Sequence, residues 1–488
     1  MKQPLIVLGA GPKGLAIAAK HYAIGNSDLP PCLLLERDEI GAHWSGKDGA
    51  YTDGKQRLVT PPEHDIGYPY KSQQVFDNGA EINQRIQELS WLAYLTATDS
   101  LITWINDGRP NPTHVEFVAY LKWVADRIPD IQTKKCDINQ IQTDDSGKLW
   151  RLSDGNGSEF LGRGLVITGH GGPKRLGGKG YDNDRISDGR NFWERAKAGS
   201  LDKFLSERGK TIGVVGSGET AGAIALEILK RIEKSGLDKG TDPVQIILIC
   251  KRYPGYFLRS DVAKDVWHFS NPVSWDSLNI PKKRAIMQRA DRGVVSGDVK
   301  HRLERSKCVR YLVADDVRWP EQYPVPTEGP VTVELLYRVS DEEAEDSDKS
   351  EKLDLSFLVF AQGFDDLWFL ELFEKSLLLK FTTFIVSKAN ENAITKLVSE
   401  GANLWPSTPK RADLPQLLAQ EIKNPTVKTW LSRRLEHLIE PDLSVADFEP
   451  KIHLPRLAGL RQGPGFPNLN CLGLMSDRIW ESYLSKDS

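Results

Sequence analysis

Two glycine-rich hexapeptides announce the chemistry of this 488-residue chain. Gly9-Ala10-Gly11-Pro12-Lys13-Gly14 fits G-x-G-x-x-G, and Gly216-Ser217-Gly218-Glu219-Thr220-Ala221 fits G-x-G-x-x-A. In such loops the first glycine permits a tight turn, and the second lets the backbone approach a diphosphate. The third lets helix and strand pack closely. The helix that follows offers free N–H groups and a positive dipole end to phosphate oxygens. After the first loop the next strand ends in Glu36, an acid placed to accept hydrogen bonds from ribose hydroxyls. After the second loop the next strand ends in Cys250-Lys251-Arg252, with Arg259 close behind. Cations there suit a 2′-phosphate, which an acid would reject. The residues therefore predict NAD or FAD at Gly9, Gly11, Pro12, Gly14 and Glu36. They predict NADPH at Gly216, Gly218, Thr220, Lys251 and Arg252. A first loop at the extreme N-terminus points to FAD.

These loops need strands and helices to hold them. Pro4–Leu8 and Cys32–Glu36 read as buried strands around a helical stretch from Leu15 to Tyr22. Thr211–Val215 and Val244–Cys250 do the same around Ala221–Ile232. A strand–glycine turn–helix–strand unit that occurs twice predicts an α/β fold with two Rossmann-like dinucleotide-binding domains and a helical insertion. Gly164–Thr168 and Leu355–Ala361 read as further strands, and Val331–Val339 as an exposed one. The acidic run Asp341–Asp354 reads as a solvated loop. The expected domains are 1–170 for FAD, 171–355 for NADPH with a helical segment at 274–308, and 356–488 as a return to the first domain. That return carries a helical insertion at 389–443, suited to a lid or an oligomer contact.

Composition bounds the rest. A net charge of -3 gives no electrostatic reason to expect nucleic acid or an anionic membrane as partner. The five cysteines form no C-x-x-C and no cluster with histidine, which argues against structural zinc, a disulfide framework or a redox dithiol. The apolar start Leu5–Leu8 is too short for a leader, and no apolar run approaches the roughly 20 residues that span a bilayer. A cytoplasmic protein is expected.

Several segments outside the loops resemble the ornithine/lysine N-hydroxylase branch of class B flavin monooxygenases. Gly41-Ala42-His43-Trp44 is similar to the G-G-x-W turn of flavin monooxygenases, which would bring Trp44 near the flavin. Ser90–Leu95 and Pro112–Ala125 are similar to the branch's S-F-L-N-Y-L and P-T-R-x-E-F-x-x-Y-L-x-W-x-A segments. Phe269–Pro272 is similar to F-x-N-E, and Phe360–Phe364 to an A-T-G-Y strand end. Pro464–Leu469, with Asn468, stands where a C-terminal segment closes over the flavin. The resemblance implies FAD reduced by NADPH, O2 taken up as a C4a-hydroperoxyflavin, and attack on its distal oxygen by the nitrogen of a small amine or amino-acid-like metabolite. It also implies secondary metabolism and a homo-oligomer, dimer or tetramer. The chemistry is the cofactor's, so no acid–base triad is expected.

The departures concern substrate. The branch's M-Q-V-S-F-L-K-D segment aligns with Arg57–His64, so its carboxylate-holding lysine becomes Glu63, or His64 after a one-residue slip. Asn271 matches one substrate-binding asparagine, and Asp291 replaces another. A lost cation and a gained acid disfavour a carboxylate at that spot. The expectation is a more cationic amine, or an amino acid held differently. Three other readings compete. Relatives that oxidise sulfur or ketones carry a linker histidine, which Gly177–Trp193 lacks. A disulfide reductase would need a cysteine pair. A non-catalytic flavoprotein is compatible with both loops.

Overall fold

The structure is a computed structural model. It describes residues 2–129, 132–174, 184–205, 209–251, 257–258, 263–318, 329–337, 349–401, 404–405 and 408–484.

Leu5–Leu8 is buried at every position, as a strand covered on both faces must be. It is the centre of a parallel sheet ordered Lys451–His453, Gly164–Ile167, Leu5–Leu8, Cys32–Glu36, Gln132–Lys135. A second parallel sheet is ordered Val309–Val313, Gln245–Cys250, Thr211–Val215, Phe357–Phe360, Ile186–Asp188. Each sheet has an antiparallel companion. Ile138–Thr143, Trp150–Asp154 and Glu159–Gly162 accompany the first; Asp316–Arg318, Val331–Tyr337 and Lys349–Leu355 accompany the second. The two glycine loops open helices Pro12–Ile24 and Glu219–Ser235. Both helices stop at a left-handed glycine, Gly25 and Gly236, the residue that takes this conformation without a Cβ penalty.

Four sequence expectations need correction. The run Leu355–Ala361 is two elements: Leu355 ends the antiparallel strand, and Phe357–Phe360 lies between Thr211–Val215 and Ile186–Asp188. The second sheet thus extends past the boundary drawn at 356, because one apolar run hides a change of sheet at Ser356. Lys349–Leu355, the end of the acidic run, is a strand paired with Val331–Tyr337, whose alternating burial shows that one face is covered. Of segment 274–308, the C-terminal part joins the second core, through Val295, Leu303 of helix Gly297–Glu304, and Cys308. Helix Ile280–Ala290 packs through Ile286 and Met287 against Leu460. The helical insertion begins earlier, at Lys375–Lys388, and runs through Pro425–Leu435.

The chain crosses between sheets twice, and the crossings pair as an antiparallel ribbon. Gly171 N–H donates to Asp365 O at 2.8 Å, Asp365 N–H to Gly172 O at 2.9 Å, and Lys174 N–H to Gly363 O at 2.9 Å.

Candidate active site

The first loop is built as its glycines require. Gly9 has φ +107°, and a Cβ there would sit 2.7 Å from Thr168 Oγ1. A Cβ on Gly14 would sit 2.1 Å from Gly9 O, so helix and strand touch through bare backbone. At Gly11 a Cβ meets nothing within 4 Å, which leaves the backbone open to a ligand. Pro12 takes the first helical turn, where its missing N–H costs no hydrogen bond. Glu36 steadies the loop: Oε2 accepts from Ala10 N–H at 2.8 Å and Oε1 from Asp38 N–H at 3.0 Å.

Gly9 and Glu36 open onto a cavity of about 1000 Å³ that reaches the crossing ribbon and helices Ile280–Ala290 and Pro425–Leu435. Rings form part of its wall. His170 stacks on Phe364 at 4.2 Å, and Tyr51 lies 4.3 Å from His43 and 4.7 Å from Phe364. Burial pushes His170 down to about 3 and His43 to about 4, so both rings are neutral near pH 7. Trp44 is elsewhere, stacked on His114 at 5.5 Å and tilted against Phe117, and is not on this wall.

The C-terminal turn gathers the other candidates. Lys13 Nζ donates to Pro467 O at 2.8 Å, which docks the turn on the first loop; Arg456 donates to the same oxygen at 3.3 Å. Asn468 Nδ2 donates to Pro464 O, while its Oδ1 accepts from Asn470 N–H and Nδ2. Asn470 Oδ1 lies 2.6 Å from His64 Nδ1, and His64 stacks on Tyr68 at 3.8 Å. On the other flank a Cβ on Gly465 would fall 1.9 Å from Phe269 O, so the turn presses on the helix that ends before Asn271. The buried Oδ1 of Asn271 has no hydrogen-bond partner among the described residues. Asp291 adds charge coupling to Lys13 and to Arg292. Glu63 is half-buried beside His64 and forms no salt bridge among the described residues. His64, Asn271 and Asp291, far apart in sequence, thus meet elements docked on one turn. Lys13, Asn470 and Arg292 were missed because helical spacing or loop position gave them no motif.

The second loop repeats the plan. Gly216 has φ +147°, a Cβ there would lie 2.4 Å from Ala361 O, and Gly218 is open within 4 Å. Thr220 Cγ2 approaches the Cβ position of Gly189 at 3.3 Å. Lys251 is two-thirds exposed, 3.9 Å from Asp316. Arg252 and Arg259 lie outside the described residues.

Residues 83–257 match the family model for L-lysine 6-monooxygenase/L-ornithine 5-monooxygenase. The L-lysine N6-monooxygenase MbtG of Mycobacterium sp. (strain MCS) is 33% identical over 481 residues, covering 98% of this chain and 95% of that one. The protein belongs to the lysine/ornithine N-monooxygenase family. MbtG of Mycobacterium tuberculosis is 32% identical over 98% of this chain and 94% of its own. The structure of lysine monooxygenase NbtG from Nocardia farcinica, noted for its NADPH domain conformation, is similar with TM-score 0.72 and 29% identity, over 98% of this chain and 99% of that one. The Kutzneria ornithine N-hydroxylase with reduced FAD, NADP+ and L-ornithine shares the fold at TM-score 0.64 and 14% identity, over the whole of both chains.

This monooxygenase is thus an FAD- and NADPH-dependent oxidoreductase that oxygenates an amine nitrogen. Its residues fit both groups: two open glycine positions, at Gly11 and Gly218, each at the N-terminus of a helix with no side-chain cap. Among the described residues no helix is long and apolar enough to cross a membrane.

Lys13 gives the monooxygenase a pH signature. Burial, then Arg456, pushes its pKa down to about 7 against a usual 10.5. Between these values the unfolded chain binds the proton and the folded one does not, so stability rises with pH. Below about 7 the folded state carries a buried ammonium at a cost. In the flavin-free protein, wild type should gain melting temperature relative to Lys13→Met as pH rises from 7 to 9. Parallel curves would mean that Lys13 does not titrate there.

Proposed function

We propose that the enzyme hydroxylates the side-chain amine of a lysine-type substrate beside the turn Pro464–Cys471. The observation that supports it most is the docking of the His64 loop and the Asn271 segment on this turn, which Lys13 ties to the first nucleotide loop. Relatives named L-lysine N6-monooxygenase match nearly the whole chain, which favours lysine over ornithine.

The assignment of parts follows. Gly9, Gly11, Pro12, Gly14 and Glu36 hold FAD, with Asn468 shaping the segment over it. Gly216, Gly218 and Thr220 hold NADPH, whose 2′-phosphate falls to Lys251 and Arg252. FAD and NADPH supply the electrons and the activated oxygen atom. The chain's own contribution is to bind, orient and exclude water. Asn271 Oδ1, an acceptor buried without a hydrogen-bond partner among the described residues, accepts a hydrogen bond from the substrate amine and aims its lone pair. Asp291 and Glu63 disfavour the α-carboxylate nearby, so the amino acid is held differently from the family pattern. The five cysteines are buried and unpaired, as suits a reducing compartment.

The test is a comparison of kcat/KM for N-hydroxylation of lysine, ornithine and cadaverine. Lysine should lead, and Glu63→Lys should move the lysine KM. Preference for ornithine would overturn the substrate reading. An unchanged KM in Glu63→Lys would remove Glu63 from substrate choice.

A further inference from the structure

The turn Asp291-Arg292-Gly293 ends helix Ile280–Ala290 and lies on the second glycine loop. Gly293 has φ +70°, and a Cβ there would sit 3.1 Å from Ser217 Oγ. The backbone of this turn therefore lies against the second nucleotide loop, while the Arg292 side chain faces the cavity onto which Gly9 and Glu36 open. That side chain is half-exposed. One of its amino groups is anchored: Nη2 donates to Glu436 Oε1 at 2.6 Å. Glu436 is buried, on the turn after helix Pro425–Leu435, and Arg284 reaches its other oxygen at 3.9 Å. Two guanidinium groups thus share one buried carboxylate, and Asp291 in the same turn and Asp366 across the cavity also act on Arg292. A guanidinium has five N–H donors, and the contact with Glu436 uses few of them.

An arginine aimed by a buried acid, with N–H donors left over, is built to take an anion bidentately. The anion expected at the mouth of this loop is a nucleotide diphosphate. We propose that Arg292, oriented by Glu436 and reinforced by Arg284, clamps the diphosphate of NADPH from the helical segment. The inference rests on the use of NADPH and not on the identity of the amine. It differs from the role of Lys251, which addresses the 2′-phosphate that NADH lacks.

The difference supplies the test. Equilibrium titration of the FAD-loaded enzyme with NADP+ and with NAD+ gives both dissociation constants without turnover. Arg292→Gln should weaken both nucleotides by the same factor, about 10-fold to 100-fold for loss of a charged hydrogen-bonding pair. Arg292→Lys should recover part of the loss. Glu436→Gln, which leaves Arg292 in place but unaimed, should weaken both nucleotides to a smaller degree. Lys251→Ala should weaken NADP+ alone. FAD content and melting temperature show that each variant is folded. Loss confined to NADP+ in Arg292→Gln would assign Arg292 to the 2′-phosphate and overturn the clamp. Loss of FAD, or unchanged affinity for both nucleotides with a raised KM for the amine, would overturn it as well.

Discussion

Gly14→Ala is expected to give a protein that melts early and retains no flavin. A methyl group at this position would stand 2.1 Å from Gly9 O and 3.2 Å from Gly9 C. Both atoms are backbone of the loop itself, so no side chain can swing away. The helix must move off the strand, and Val7 and Gly9 lose the contact that shapes the turn. Overpacking against movable side chains costs about 1–3 kcal/mol; a backbone neighbour puts this site at the upper end or beyond. Gly11→Ala is the matched control. Its methyl would meet nothing of the protein within 4 Å, so the melting temperature of the flavin-free form should stay near wild type. What it would meet is the diphosphate that the second glycine admits. Flavin content should therefore fall in both variants, and stability in one. Full flavin retention in Gly11→Ala would mean that the diphosphate does not approach there.

The second large effect lies on the back of the same helix. Lys20 Nζ is 2.7 Å from Asp477 Oδ1, and neither side chain is exposed by more than 1%. Ser72 completes the group, accepting from Lys20 at 2.6 Å and donating to Asp477 at 3.0 Å. Burial lowers the lysine pKa and raises that of the aspartate, so each charge persists only because of the other. The triad joins the first nucleotide helix to the C-terminal helix Leu472–Glu481 and to the loop that follows His64. Asp477→Ala strands a buried ammonium and should cost about 3–5 kcal/mol in denaturant unfolding. Removal of both charges in Lys20→Met/Asp477→Leu should recover most of that loss, since apolar replacement of a buried pair is often neutral or stabilising. A double variant as damaged as the single would show that the triad acts through hydrogen bonding to Ser72 and not through charge.

The glycine loops were legible because their constraints are local. Gly9, Gly14 and Glu36 act within one βαβ unit, and the structure finds each turn, helix and strand end where spacing puts it. Legibility fell where contacts cross the chain. The change of sheet at Ser356 is invisible in a continuous apolar run. Within the turn similar to G-G-x-W, Trp44 packs on His114 and Phe117 while His43 lines the cavity with Tyr51, a division that the spacing does not show. Lys13 read as a filler position in G-x-G-x-x-G, but its amine holds a carbonyl 454 residues away. His64 entered only as a slip in an alignment, and Asn470 is the partner that places it. No periodicity or motif encodes such pairs, because the partner is supplied by topology.

In this enzyme, reducing equivalents from NADPH end as an N–O bond on an amine. The direct measurement is simultaneous quantification of NADPH consumed, O2 consumed, hydroxylamine formed and hydrogen peroxide released, with lysine as substrate. The enzyme described here should give hydroxylamine close to one per NADPH, with peroxide the minor product and the hydroxylamine absent without amine. NADPH consumption matched by peroxide, with no N-oxygenated product from lysine, ornithine or cadaverine, would contradict it.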